Sequence, residues 1–251
     1  MLPESIASLS VVPMLLYVIR ERVEIGAFAW LLFSFACLLK AFEFLQSKDY
    51  VNFCIFCLGT LFFILMAKAI ISRNSPTFQE VTAFSALACI FYFPFVFISP
   101  LNDAIIETTA FLSAALGKTL GYSITAQRRI LELNGSSVEI ILACTAIESM
   151  ALFAGATLGI NAEARRKLKA FAISVPTIYF LNLFRNVFVL VSHSYSLFGE
   201  NSFYIAHHVV AKFFSFIALL AIAYAVFRIL PELTELIYSL KEEIIRGVKG
   251  D

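Results

Sequence analysis

Residues Val51–Ile71 read VNFCIFCLGTLFFILMAKAII, twenty-one residues with one charged side chain, Lys68. About 20 apolar residues in an α-helix cross the hydrocarbon layer of a bilayer, and a helix satisfies its own backbone N–H and C=O groups where no water can. The stretch therefore predicts a membrane span, with Lys68 extending its stem toward an interface. Cys54 and Cys57 form a CxxC inside it. They share one depth in the helix with no second ligand pair nearby, which reads as packing rather than metal binding.

Six more segments of the same character flank it, approximately Ser5–Ile19, Ile25–Leu45, Val81–Leu101, Ile141–Ile160, Lys169–Val191 and His207–Leu230. The 251-residue chain is 60% hydrophobic, carries 27 Phe and has a mean hydropathy of +0.86, more than one soluble core can hide. The expected fold is an all-α polytopic membrane protein with about seven transmembrane helices. Residues 1–230 read as a single transmembrane domain, with its chemistry in the half from about 121 to 230, and 231–251 as a charged cytoplasmic tail. Glu4 precedes the first apolar run and no basic residue precedes Arg20, so the first helix is expected to remain uncleaved. A net charge of +1 and the lack of any basic stretch interleaved with aromatics exclude nucleic acid as a partner. The five cysteines are scattered through apolar segments, which argues against a disulfide framework. No nucleotide, zinc-protease or hydrolase motif is present, and no cofactor or metal is expected.

Charge in the loops sets the expected orientation. Arg165, Arg166, Lys167 and Lys169 crowd one short connection, and Lys241, Arg246 and Lys249 lie in the tail. Short Lys/Arg-rich loops stay cytoplasmic, which places the segments around Cys144, the end of the Arg185 span and the start of the His207 span on the outer side. The same alternation puts Arg20, Arg22 and Arg73 inside, and Lys48 outside. Ala104–Leu120 contains Glu107, Lys118 and several Ser and Thr, and predicts an interfacial or re-entrant helix on the outer face. After it, RRILELNGSSVEII alternates about Asn134-Gly135, a hairpin signal. A small outer β-hairpin thus leads into Cys144. Trp30 and the tyrosines read as interfacial anchors and packing.

Cys144 stands in ACTAIESM at the apparent start of an apolar helix and beside an outer polar loop. Unpaired N–H groups and the helix dipole favour a thiolate there, which makes Cys144 a candidate nucleophile, and the loop makes it the most accessible of the five thiols. Arg185 lies within an apolar span, where a guanidinium is costly unless it faces a wet cavity or a ligand. Asn182, one turn earlier on the same face, could orient the guanidinium or donate to the same ligand. His207 and His208 open the last span, and either could act as the base a thiol needs. Lys212 lies one turn beyond His208 and could hold a phosphate or carboxylate. Glu148, one turn after Cys144, is expected to meet Lys212, Arg185 or water. Lys40 and Glu43 at i,i+3 read as a surface ion pair.

At these residues the chain resembles the exosortase/archaeosortase family of polytopic transpeptidases. The resemblance rests on ACTAIESMALFAG around Cys144, NLFRNVFVL around Arg185 and HHVVAKFFSF near the last span, and covers roughly Gly121–Leu230. It implies that Cys144 is the nucleophile, Arg185 the intramembrane arginine and a histidine the third residue. The family's HxxxGxxxF setting favours His208, which has Phe216 at +8, over His207, which has Ser215 there. Lys212 replaces the small residue of that pattern, and Ala146 stands where many relatives carry Gly. The resemblance further implies substrates that are secreted proteins ending in a short motif, a transmembrane helix and a basic cluster, with a membrane lipid as acceptor. Two other readings of the same residues stay open: intramembrane proteolysis with water as acceptor, and a small-molecule transporter with a polar outer vestibule.

Overall fold

The computed structural model describes residues 2–249; Met1, Gly250, Asp251 and the side chains of Val248 and Lys249 lie outside the described residues. The helices are α1 (Leu2–Leu9), α2 (Val11–Arg20), α3 (Val23–Gln46), α4 (Tyr50–Ser72), α5 (Pro76–Phe97), α6 (Ser99–Thr119), α7 (Ile147–Leu158), α8 (Ala164–Ser194), α9 (Ser202–Tyr204), α10 (Ala211–Ile229) and α11 (Pro231–Lys249). Strands β1 (Thr125–Gln127), β2 (Ile130–Leu133) and β3 (Ser136–Glu139) form an antiparallel sheet in the order β1-β2-β3. The fold is all-α with this one small sheet. Among the described residues six helical stretches are long and apolar enough to cross a membrane: Leu2–Arg20, Val23–Gln46, Tyr50–Ser72, Pro76–Phe97, Ala164–Ser194 and Gly199–Ile229.

The segment expected as a seventh crossing, Ile141–Ile160, is a 3₁₀ turn followed by the twelve-residue α7. At 1.5 Å per residue α7 is about 18 Å long, well short of the hydrocarbon layer. A left-handed residue, Ala146 with φ of 58°, delays its start, and Gly159 follows its end. The chain packs as two compact units, one comprising residues up to Phe93, Ala154–Lys167 and from Leu230 onward, the other Pro94–Phe153 and Leu168–Ile229.

In the first unit, small residues let helices approach closely. A Cβ on Gly26 would lie 2.8 Å from the Tyr17 ring, and one on Gly247 would lie 2.8 Å from the Ala69 Cα. The second contact seats α11 against α4. Leu233, Leu236, Leu240 and Ile244 fall on one stripe of α11 at helical spacing, with Leu233 and Leu236 buried. Its first turn is fixed by Arg166, which donates to both carboxylate oxygens of Glu232 and holds that carboxyl below the usual range. Trp30 is not an interfacial anchor. It is buried, stacks on Phe63 at 5.3 Å and donates to Thr82 Oγ1 at 3.0 Å, because a Thr on the facing helix gives its indole N–H a partner inside the unit. The expected Lys40–Glu43 pair forms, and Lys40 also meets Glu4 at 2.6 Å.

The second unit is built on α6. Its buried residues Ile106, Thr109, Ala110, Ser113, Ala114 and Gly117 follow a helical stripe, while Asn102, Asp103, Glu107 and Lys118 keep it from being a continuous apolar span. This agrees with the amphipathic reading of Ala104–Leu120. The hairpin expected about Asn134-Gly135 is present, with Leu133 opposite Ser136 and positive φ at both loop residues (50° and 81°), the requirement of a type I′ turn. An additional strand, β1, pairs with β2 through Thr125↔Glu132. Leu131, Leu133 and Ile140 pack with Ile106 and Ala110 of α6 and Val187 and Leu190 of α8.

Gly155 and Gly159 test the close packing of the first unit. A Cβ at Gly155 would lie 2.6 Å from the Phe84 carbonyl oxygen, and one at Gly159 2.5 Å from the Phe84 Cα, backbone atoms that cannot step aside. Gly155→Ala and Gly159→Ala are each expected to destabilise by about 1–3 kcal/mol. Gly59→Ala, with only a Phe63 ring carbon at 3.9 Å, should be tolerated. Thermal unfolding in detergent, compared across the three variants, measures the difference.

Candidate active site

Cys144 closes the 3₁₀ turn Leu142–Cys144, its N–H donating to Ile141 O at 2.8 Å. Thr145 N–H donates to Leu142 O at 3.0 Å, and Thr145 Oγ1 accepts a long bond from Ile147 N–H at 3.4 Å, a weak cap on α7. The thiol thus precedes α7 by a short turn instead of standing in its first helical position. It is also not the most accessible of the five cysteines: Cys144 is buried, at 9% exposure, whereas Cys54 is exposed. The reason is the turn itself, which folds Cys144 into the cluster with Val187, Leu190 and Ile140.

The carbonyl of Cys144 is held from α8. Asn182 Nδ2 donates to it at 2.7 Å and Asn186 Nδ2 at 3.2 Å; the second Asn186 N–H points to Ser113 Oγ of α6 at 3.4 Å. Both asparagines are buried. Asn182, expected to orient the Arg185 guanidinium, donates to the backbone of Cys144. Asn186 and Ser113 were not legible as site residues, although two Asn at i,i+4 inside an apolar span were a signal, since buried amides in such a helix need partners.

Arg185 is half-buried on the same helix, with Nη2 3.4 Å from His207 Nε2. A guanidinium only donates, so in this geometry Nε2 accepts and the ring carries its proton on Nδ1, which is buried without a hydrogen-bond partner among the described residues. His207 stacks on Phe203 at 5.4 Å with rings 10° apart, and His208 stacks on Tyr204 at 5.0 Å. It is therefore His207 that meets Arg185, where the spacing to Phe216 had favoured His208. Residues Ile205–Val210 form a π-helical turn. Its extra residue per turn rotates the two histidines relative to α10, so a count made on a regular helix fails across it.

Leu142, Ala143, Ala146 and Ile147, on either side of Cys144, line a cavity of ≈ 610 Å³ together with Glu148, Asn182, Arg185 and Lys212. Phe184, Phe188, Phe214 and Phe216 supply apolar wall. The structure thus brings Glu148, Asn182, Arg185 and Lys212 to one cavity and seats Cys144 beneath its wall. All seven candidate residues belong to the second unit. Among the described residues no group of three or more His, Cys, Asp or Glu is arranged to hold a metal ion.

Residues 7–225 match the family described as transmembrane exosortase (EpsH). The chain belongs to the transmembrane exosortase family. It is 30% identical over 214 residues to archaeosortase A of Haloferax volcanii, covering 76% of this chain and 68% of that protein. Over 124 residues it is 31% identical to archaeosortase A of Natronomonas pharaonis, covering 42% of this chain and 39% of that one. No solved structure matches the chain significantly. With its apolar helices, membership of this exosortase family makes the chain a multi-pass membrane protein of the protein-sorting enzyme class.

Ala146 stands in the left-handed region, with φ of 58°, a conformation that glycine adopts without steric penalty. A non-glycine residue in that region costs about 1–2 kcal/mol, part of which glycine returns as chain entropy in the unfolded state. Ala146→Gly is expected to raise the thermal midpoint by an amount equivalent to less than about 1 kcal/mol, and Ala146→Val, β-branched, to lower it. Paired unfolding curves in one detergent check both signs.

Proposed function

We propose that this exosortase is a membrane-embedded cysteine transpeptidase that cleaves C-terminal sorting signals of secreted proteins and transfers the new C-terminus to a membrane lipid. The observation that supports the reading is the cavity that Arg185 lines together with the first turn of α7 and the residues flanking Cys144, with His207 beside Arg185. The archaeosortase A relatives support it through their names.

In this reading the Cys144 sulfur attacks the scissile carbonyl and passes its proton to a histidine. His207 or His208 would take that role; His207 lies beside Arg185, and its Nε2 would have to exchange the guanidinium for the thiol. A C–S bond forms, the amide C–N bond breaks, and the histidine returns the proton to the leaving amine. A hydroxyl or amine of a lipid headgroup then attacks the thioester, and its proton restores the thiol. Arg185, on the cavity wall beside the residues that flank Cys144, would stabilise the oxyanion or hold the peptide. Lys212 and Glu148, on the cavity wall, support binding. Because Cys144 is 9% exposed, attack requires its side chain to be presented to the cavity that Ala143 and Ala146 line. The Arg and Lys of residues 165–169 favour an inner location for that connection, an outward-facing site and a cytoplasmic C-terminus. A substrate tethered by its own membrane helix would meet the site at fixed depth, which supplies proximity.

Cys144→Ala is expected to abolish processing with folding intact. Mass analysis of the wild-type product separates lipid transfer, a lipid-modified C-terminus, from hydrolysis, a free carboxylate. Unimpaired processing by Cys144→Ala would falsify the covalent mechanism.

Arg185→Lys should lose most activity despite keeping its charge, because an ammonium cannot reproduce the planar fork that meets His207 and an oxyanion together. His207→Ala should fall further than His208→Ala. Substrate conversion at matched expression ranks the three variants, and equal tolerance of the two histidine changes would remove His207 from the role of base.

A further inference from the structure

Two buried amide side chains donate to one backbone oxygen, and that oxygen belongs to the residue that carries the thiol. Asn182 and Asn186, one turn apart on α8, reach the Cys144 carbonyl at 2.7 and 3.2 Å. In an uninterrupted helix this carbonyl would accept the N–H of Glu148, four residues on. Engaged by α8, it is withheld from α7, and the chain passes instead through the left-handed Ala146 before helix begins at Ile147. The first bond of α7 runs from Met150 N–H to Ala146 O at 2.9 Å. Ile147 N–H is capped by Thr145 Oγ1 at 3.4 Å, and Ala146, Ile147, Glu148 and Ser149 line the cavity with Arg185.

We propose that Asn182 and Asn186, with Ser113 behind Asn186, are positioning residues that hold the Cys144 carbonyl against α8, so that the turn before α7 and the thiol it carries keep a fixed place beside the cavity. This rests on the reading of Cys144 as nucleophile. The asparagines touch no reacting atom; they act through the backbone of the turn. Each is a donor by necessity, since a carbonyl oxygen offers only lone pairs. An aspartate of the same shape cannot make the bond when ionised, and its lone pairs face the carbonyl oxygen.

The test uses the full-length enzyme in detergent or proteoliposomes with Asn182→Asp, Asn186→Asp, the double variant and Ser113→Ala. Steady-state processing of a peptide substrate gives kcat and KM, and alkylation of Cys144 by a small iodoacetamide probe, followed by mass spectrometry across pH, reports the thiol's environment without turnover. The expected result is a loss of about 10²-fold in kcat for the double variant, the scale of a 1 Å misplacement, with KM changed much less. The alkylation profile should be displaced, and Ser113→Ala should lie between wild type and Asn186→Asp on both readouts. An unchanged alkylation profile with kcat per folded molecule within about two-fold of wild type would overturn the proposal. If Cys144→Ala keeps activity, the nucleophile reading fails by itself, and the alkylation profile still reports whether the asparagines position that turn.

Discussion

The carbonyl oxygen of Cys144 is the point about which the second unit is arranged. Where the chain leaves helical geometry in an apolar environment, its polar backbone groups need partners from elsewhere. Between Gly121 and Ala146 those partners come from the three-stranded sheet and from side chains of α8. Ser194 donates to Leu133 O at 3.0 Å at one end of α8, while Asn182 and Asn186 serve the Cys144 turn further along it. The same helix carries Arg185. One rigid element therefore satisfies the irregular backbone and presents the guanidinium, which fixes the two relative to each other more tightly than loops would.

The amphipathic α6 completes this arrangement. Its stripe of Ala and Ser is small enough for the sheet and α8 to pack closely against it, and Ser113 in that stripe reaches Asn186. Asp103 near its start pairs with Arg129 in the loop between β1 and β2, and Thr109 shares a hydrogen bond with Tyr179 of α8 at 3.1 Å. A span made wholly of Leu and Phe could form the helix but could offer none of these bonds. Phe184, Phe188, Phe214 and Phe216 give the cavity that holds Arg185 and Lys212 an apolar wall.

The first unit shows the same economy by different means. Close helix contacts at Gly26, Gly155, Gly159 and Gly247 stand where lipid offers no hydrophobic drive to association, so van der Waals contact between backbones must supply it. Trp30, Tyr17 and Asn74 place their polar atoms on specific partners, Thr82 Oγ1, Asn74 Oδ1 and Glu21 O. The amphipathic α11 turns Leu233 and Leu236 inward against the same unit and leaves most of its charges outward.

The sequence by itself determined the membrane class, most of the spans, the amphipathic character of α6, the Asn134-Gly135 hairpin and the family, because each is a local pattern: a run length, a period or a two-residue turn. It also marked Cys144, Arg185 and the histidine pair, since charged and reactive groups in apolar runs stand out. Tertiary structure alone decided the shortness of α7, the burial of Cys144, the choice of His207 as the neighbour of Arg185 and the contacts of Asn186 and Ser113 beside it. The first follows from a left-handed residue and the third from a π-helical turn, both departures from the regular period on which sequence counting depends. The others are contacts between residues far apart in the chain, such as Asn186 with Cys144 and with Ser113, 42 and 73 positions away, and no local pattern encodes which distant amide will find which carbonyl.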